Sequence, residues 1–121
     1  MLRPLIFASL VTLLAACSSP STDTATDTPD TPELATCPST IVIDTFKYEP
    51  GNCQVAAGTT LTFRNEDTVD HTATSLPGTP AAFDTGNIGV NKSATIAFSA
   101  PGVYRYYCTI HTDMKASITV K

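Results

Sequence analysis

The chain has 121 residues, a formal net charge of −4 and a 42% share of hydrophobic residues. That length predicts one domain, and seven basic residues against 11 acidic ones exclude the basic footprint of a nucleic-acid binder. Four cysteines, two histidines and two methionines make thiol, imidazole and thioether chemistry the scarce features to follow.

Met1–Ala16 opens with Arg3 and then runs apolar from Leu5 to Ala16. The run is too short to span a bilayer and predicts a signal peptide. It ends in Leu14-Ala15-Ala16-Cys17, which resembles a bacterial lipobox, so Cys17 is expected to be lipidated and to become the new N-terminus. The alternative is an ordinary signal peptide with Cys17 as a stray thiol. Several acyl chains on one residue anchor stably where a single chain binds only marginally. The expected location is therefore the outer face of the cytoplasmic membrane or the outer membrane, facing the periplasm. Ser18 stands where an aspartate would favour inner-membrane retention, a hint toward the outer membrane.

Residues 17–36 hold Ser, Thr, Asp, Pro and Ala with almost no bulky apolar side chain. Such a stretch buries too little surface to offset its ordering entropy. It predicts a disordered tether that gives the domain reach from the membrane. Asp23, Asp27, Asp30 and Glu33 place much of the negative charge there, leaving 37–121 close to neutral.

From Cys37 onward the pattern changes to short strands. Thr40–Phe46 is β-branched and apolar, and Lys47–Gly51 reads as a turn. Gln54-Val55 leads to Gly58, after which Thr59–Arg64 alternates with Leu61 and Phe63 on one face. Ser93–Phe98 alternates again, Pro101-Gly102 turns into Val103–Tyr107, and Ala116–Val120 follows. No window carries a helical period. Short alternating strands with Gly and Pro turns predict an all-β, Greek-key sandwich or barrel of about seven to eight strands.

Once Cys17 is set aside, Cys37, Cys53 and Cys108 remain, an odd number for an exported chain. Pairing Cys37 with Cys53 closes a loop of about 15 residues, worth ~3 kcal/mol on the chain-entropy model. Cys108 is then free. The alternative pairs Cys108 with Cys37 or Cys53 and leaves the other thiol bare. Cys108, His111 and Met114 fall within seven residues, between two expected strands, and His71 arrives from a separate segment after Asn65–Asp70. One thiolate, two imidazoles and a weak axial thioether form the donor set of a blue-copper electron-transfer site. His71, Cys108, His111 and Met114 are therefore the candidate metal ligands.

At this point the chain resembles a known family, the cupredoxins, small blue copper proteins of the plastocyanin and amicyanin type. The resemblance rests on Phe46–Pro50, Gly58–Asp67 with His71 after it, Phe83–Gly86, and Pro101–His111. The ligand-loop spacing is similar to that of amicyanin. The resemblance implies one copper held by His71, Cys108 and His111 in the equatorial plane with Met114 axial. Ile110 and Thr112 replace prolines common in the family, which could loosen the loop. Thr72 stands at a position often held by asparagine, which puts the usual hydrogen bond between the ligand loops in question.

The resemblance also implies an electron carrier rather than an enzyme, with protein redox donors and acceptors as partners. Electrons would leave at the His111 edge, ringed by Ile110 and by Leu76 and Pro77. A copper-trafficking or buffering protein with the same fold is the alternative.

Overall fold

The computed structural model describes residues 32–121. The expected signal peptide, Cys17 and most of the tether lie outside the described residues. What is described is an all-β sandwich, as the alternation predicts, with no helix among the described residues. Eight strands form it: β1 (Thr40–Asp44), β2 (Lys47–Glu49), β3 (Asn52–Val55), β4 (Thr59–Asn65), β5 (Thr74–Ser75), β6 (Ser93–Phe98), β7 (Gly102–Tyr107) and β8 (Lys115–Val120). They make two four-stranded sheets, ordered β2-β1-β4-β6 and β3-β8-β7-β5. The β1–β4 and β3–β8 pairs are parallel and the others antiparallel.

Period-two patterning decides which face points inward. Leu61, Phe63 and Asn65 of β4 are buried, as are Tyr104 and Tyr106 of β7 and Ile118 and Val120 of β8. The centre is aromatic. Phe63 meets Tyr106 edge-on at 5.6 Å between centroids, and Tyr48 meets Tyr106 at 4.7 Å. Such pairs add about 0.5–1.5 kcal/mol each beyond their buried area.

One local expectation is corrected. The Lys47–Gly51 stretch is not simply a turn, because Lys47–Glu49 is β2, paired with β1 through Asp44↔Lys47. The turn lies earlier, at Thr45 and Phe46, whose φ angles are 48° and 59°. A two-residue hairpin loop with both central φ positive matches the right-handed twist of its strands. Bulky Phe46 accepts that unusual backbone where its N–H donates to Asp67 Oδ2 at 2.9 Å. The short strand β5 also had no signal in the sequence. Its two residues are fixed by pairing with Tyr106 and Tyr107.

Cys37 and Cys53 form a disulfide, and Cys108 is free and buried. Pairing begins slightly before Cys37. Thr36 bridges Gln54, and Ala35 O accepts from Gln54 N at 2.9 Å. Glu33 Oε1 accepts from Gln54 Nε2 and from Lys121 Nζ. The chain thus enters the sandwich beside the far end of β8, while Met114 precedes that strand's first residue.

Candidate metal centre

The site forms where three backbone devices meet. Buried Asn65 ends β4 and shapes the next turn. Its Nδ2 donates to Val69 O and Ile88 O at 2.8 Å, and its Oδ1 accepts from Asp67 N at 2.9 Å. His71 is then pinned by a two-way bridge with Ile88, at 3.2 and 2.7 Å. The second loop closes on itself. Cys108 N donates to Met114 O at 3.0 Å and Met114 N to His111 O at 2.9 Å. Cys108 keeps the inward parity of Tyr104 and Tyr106 and is fully buried.

These devices bring three of the sequence-predicted residues together. Cys108 Sγ lies 3.8 Å from His71 Nδ1 and 3.7 Å from His111 Nδ1, and the two Nδ1 atoms are 3.2 Å apart. A point equidistant from the three donors lies about 2.1 Å from each, within the usual range of metal–imidazole and metal–thiolate bonds. The residues therefore fit a single ion. Met114 is buried beside them and shares a wall with Phe46, Ile110 and His111. Soft thiolate and thioether donors together with imidazole suit copper better than zinc.

Neighbouring groups hold the donors in place. His71 Nε2 sits 3.0 Å from Asp67 Oδ2, which turns its Nδ1 toward the sulfur, the usual task of a carboxylate behind a ligating histidine. Thr72 N donates to Cys108 Sγ at 3.3 Å. Tyr48 Oη, whose phenol is pushed up first by burial and then by Cys108 and Tyr106, stays protonated and donates to Thr72 O. The hydrogen bond between the ligand loops survives the replacement of asparagine, since Thr109 N donates to Thr72 Oγ1 at 2.9 Å.

Asp67 and Phe46 carry roles that the sequence did not reveal. Phe46 stands edge-on to His71 and to His111, with centroids 5.5 and 4.9 Å away, and is half exposed. Nothing in the sequence spacing marks it; only the hairpin turn brings it there. Leu76 and Pro77, expected around His111, lie elsewhere. Leu76 N bonds Arg105 O, and Pro77 lines a recess with Val103 and Arg105. The apolar residues that share a recess with His111 are Phe46, Ile110 and Met114.

The N–H of Phe46, then that of Thr68, holds the Asp67 carboxyl below its ordinary range; burial opposes this and His71 assists it. A lowered folded-state value means that the carboxylate's stabilisation is complete above about pH 4, the unfolded value, and is lost as pH falls through the lower folded one. In metal-free protein, the stability gap between wild type and Asp67→Ala is therefore expected to close as pH drops below about 4. Urea denaturation across a pH series checks this; a gap that stays constant would contradict the role given to Asp67.

A β-sandwich that converges one thiolate and two imidazoles from two loops at one end defines a small single-metal protein. The chain belongs to the cupredoxin-like domain family, whose model matches residues 6–120. Amicyanin-alpha of Methylorubrum extorquens is 28% identical over 83 residues, covering 67% of this chain and 70% of that protein. The chloroplastic plastocyanin of Physcomitrium patens is 34% identical over 83 residues, and this chain spans about half of its length, 49%. A purple cupredoxin from Nitrosopumilus maritimus superposes with a TM-score of 0.62 at 27% identity, covering 68% of this chain and 98% of that one.

Proposed function

We propose that this protein is a type 1 copper electron carrier working outside the cytoplasm, tethered to a membrane through Cys17. The observation that carries the reading is the donor triangle of Cys108, His71 and His111, whose centre is one bond length from all three. Met114, buried beside them, would add a weak thioether donor. Bound copper would supply one-electron chemistry between its +2 and +1 states.

The protein's own part is to hold one arrangement through both states. His71 is backed by Asp67 and Cys108 by Thr72 N, and the Cys108–Met114 loop is closed by its internal backbone hydrogen bonds. A small rearrangement on reduction is what a fast carrier needs. Phe46 and Ile110, about half exposed at 51% and 52%, flank partly exposed His111. They form the surface at which a redox partner would meet the histidine edge. Weak, transient encounters of this kind use small interfaces.

The test is a titration of the described domain with Cu(II), followed by visible absorption, a reductive cycle and a chelator challenge. An intense visible band that bleaches and returns on redox cycling, with copper held for hours against the chelator, supports the carrier. A colourless copper complex would overturn it. Rapid loss of copper to the chelator would favour copper handling instead.

A further inference from the structure

We propose that the hydroxyls of Thr109, Thr72 and Thr74 form a one-directional hydrogen-bond chain ending on Asp84. The chain makes Thr74 and Asp84 positioning residues for the metal loops. Thr72 Oγ1 lies 3.1 Å from Thr109 Oγ1 and 3.2 Å from Thr74 Oγ1, and Thr74 Oγ1 lies 3.0 Å from Asp84 Oδ1.

The direction follows from counting protons. A hydroxyl has one hydrogen to donate and two lone pairs to accept with, and an ionised carboxylate only accepts. Thr74 therefore donates to Asp84 and must accept from Thr72. Thr72 has then used its only hydrogen, so it accepts from the Thr109 hydroxyl as well as from Thr109 N, 2.9 Å away. Both lone pairs of Thr72 Oγ1 are filled, and each bond polarises the next in the same sense.

Asp84 is fixed at the far end. Its Oδ1 also accepts from Gly86 N at 2.8 Å, and it forms a backbone bridge with Thr74. At the near end, the backbone of Thr72 donates to Cys108 Sγ and accepts from Tyr48 Oη. The chain thus runs from the ligand loop to an exposed carboxylate.

A side-chain amide at position 72 would have separate donor and acceptor atoms and need no such help. A threonine there has one hydrogen. Without an acceptor beyond it, that hydrogen can turn back toward Thr109, and the two settings compete. Asp84, acting through Thr74, removes the second setting. The loop carrying His71 and the loop carrying Cys108 and His111 then have one relative placement.

Thr74→Val tests this without disturbing the Asp84–Gly86 contact, and Thr74→Ser is the conservative rescue. In metal-free protein, Thr109 amide hydrogen exchange is expected to accelerate about five-fold in Thr74→Val, the loss of roughly one net hydrogen bond, and to return toward wild type in Thr74→Ser. Copper-loaded Thr74→Val should release copper to a chelator about ten-fold faster, the low end for a group behind a metal ligand. It should also shift the visible band. The metal-loaded arm rests on the copper reading, and the exchange arm does not. Altered exchange in protein that binds copper without colour would sink the copper reading and leave the chain standing. Thr109 exchange within two-fold of wild type in Thr74→Val, or no recovery in Thr74→Ser, would overturn the proposal.

Discussion

Cys108→Ser is expected to abolish the visible Cu(II) band while leaving the sandwich folded. Thiolate-to-copper charge transfer needs the sulfur, and a serine hydroxyl is neither soft nor readily deprotonated beside the metal. Copper affinity should fall by at least about 100-fold, the upper range for disturbing only the groups behind a ligand. The fold should tolerate the change. Serine nearly matches cysteine in size, and its oxygen can accept the Thr72 N–H that now reaches Cys108 Sγ at 3.3 Å. Far-ultraviolet circular dichroism and urea midpoints check the fold, and a Cu(II) titration checks the band. Retention of the band in Cys108→Ser would mean that the metal sits elsewhere.

Removing the other sulfur pair should act on stability and leave the colour alone. Cys37 and Cys53, 16 positions apart, close a loop whose constraint on the unfolded chain is worth about 3 kcal/mol. The double variant Cys37→Ala/Cys53→Ala is expected to lose that much, or roughly 15 °C of melting temperature for a domain of this size. Both side chains are buried among the core residues, so the missing sulfur atoms add a small packing loss. The bridge lies on the side where Cys37 N meets Gln54 O, away from the Cys108–Met114 loop. At low temperature the visible band should therefore match wild type. A melting shift under about 3 °C would mean that the denatured chain is already restrained there.

The sheet architecture was legible because alternation is a local signal. Leu61 and Phe63, or Tyr104 and Tyr106, declare an inward face within a few residues. The thiol and the imidazoles were legible because they are scarce: two histidines and, among the described residues, one free cysteine leave few ways to build a soft site. What stayed hidden depends on chain geometry far apart in sequence. Phe46 reaches both histidines only through a turn with unusual φ angles, adopted in a stretch whose composition pointed to a strand end. Asp67 backs His71 because Asn65 folds the intervening loop, and no spacing rule announces that. Family resemblance alone puts Leu76 and Pro77 beside His111. The pairing of Leu76 with Arg105 carries them down the strand instead.

Glu33 and Lys121 touch each other at the end of β8 remote from the Cys108–Met114 loop, and the six-residue strand between spans roughly 20 Å. Both ends of the described domain therefore emerge together, on the side turned away from the histidine edge. Neighbouring termini make a fold easy to splice into a host protein or to permute. A linker attached at either end of the described domain would leave the face formed by Phe46, Ile110 and His111 uncovered.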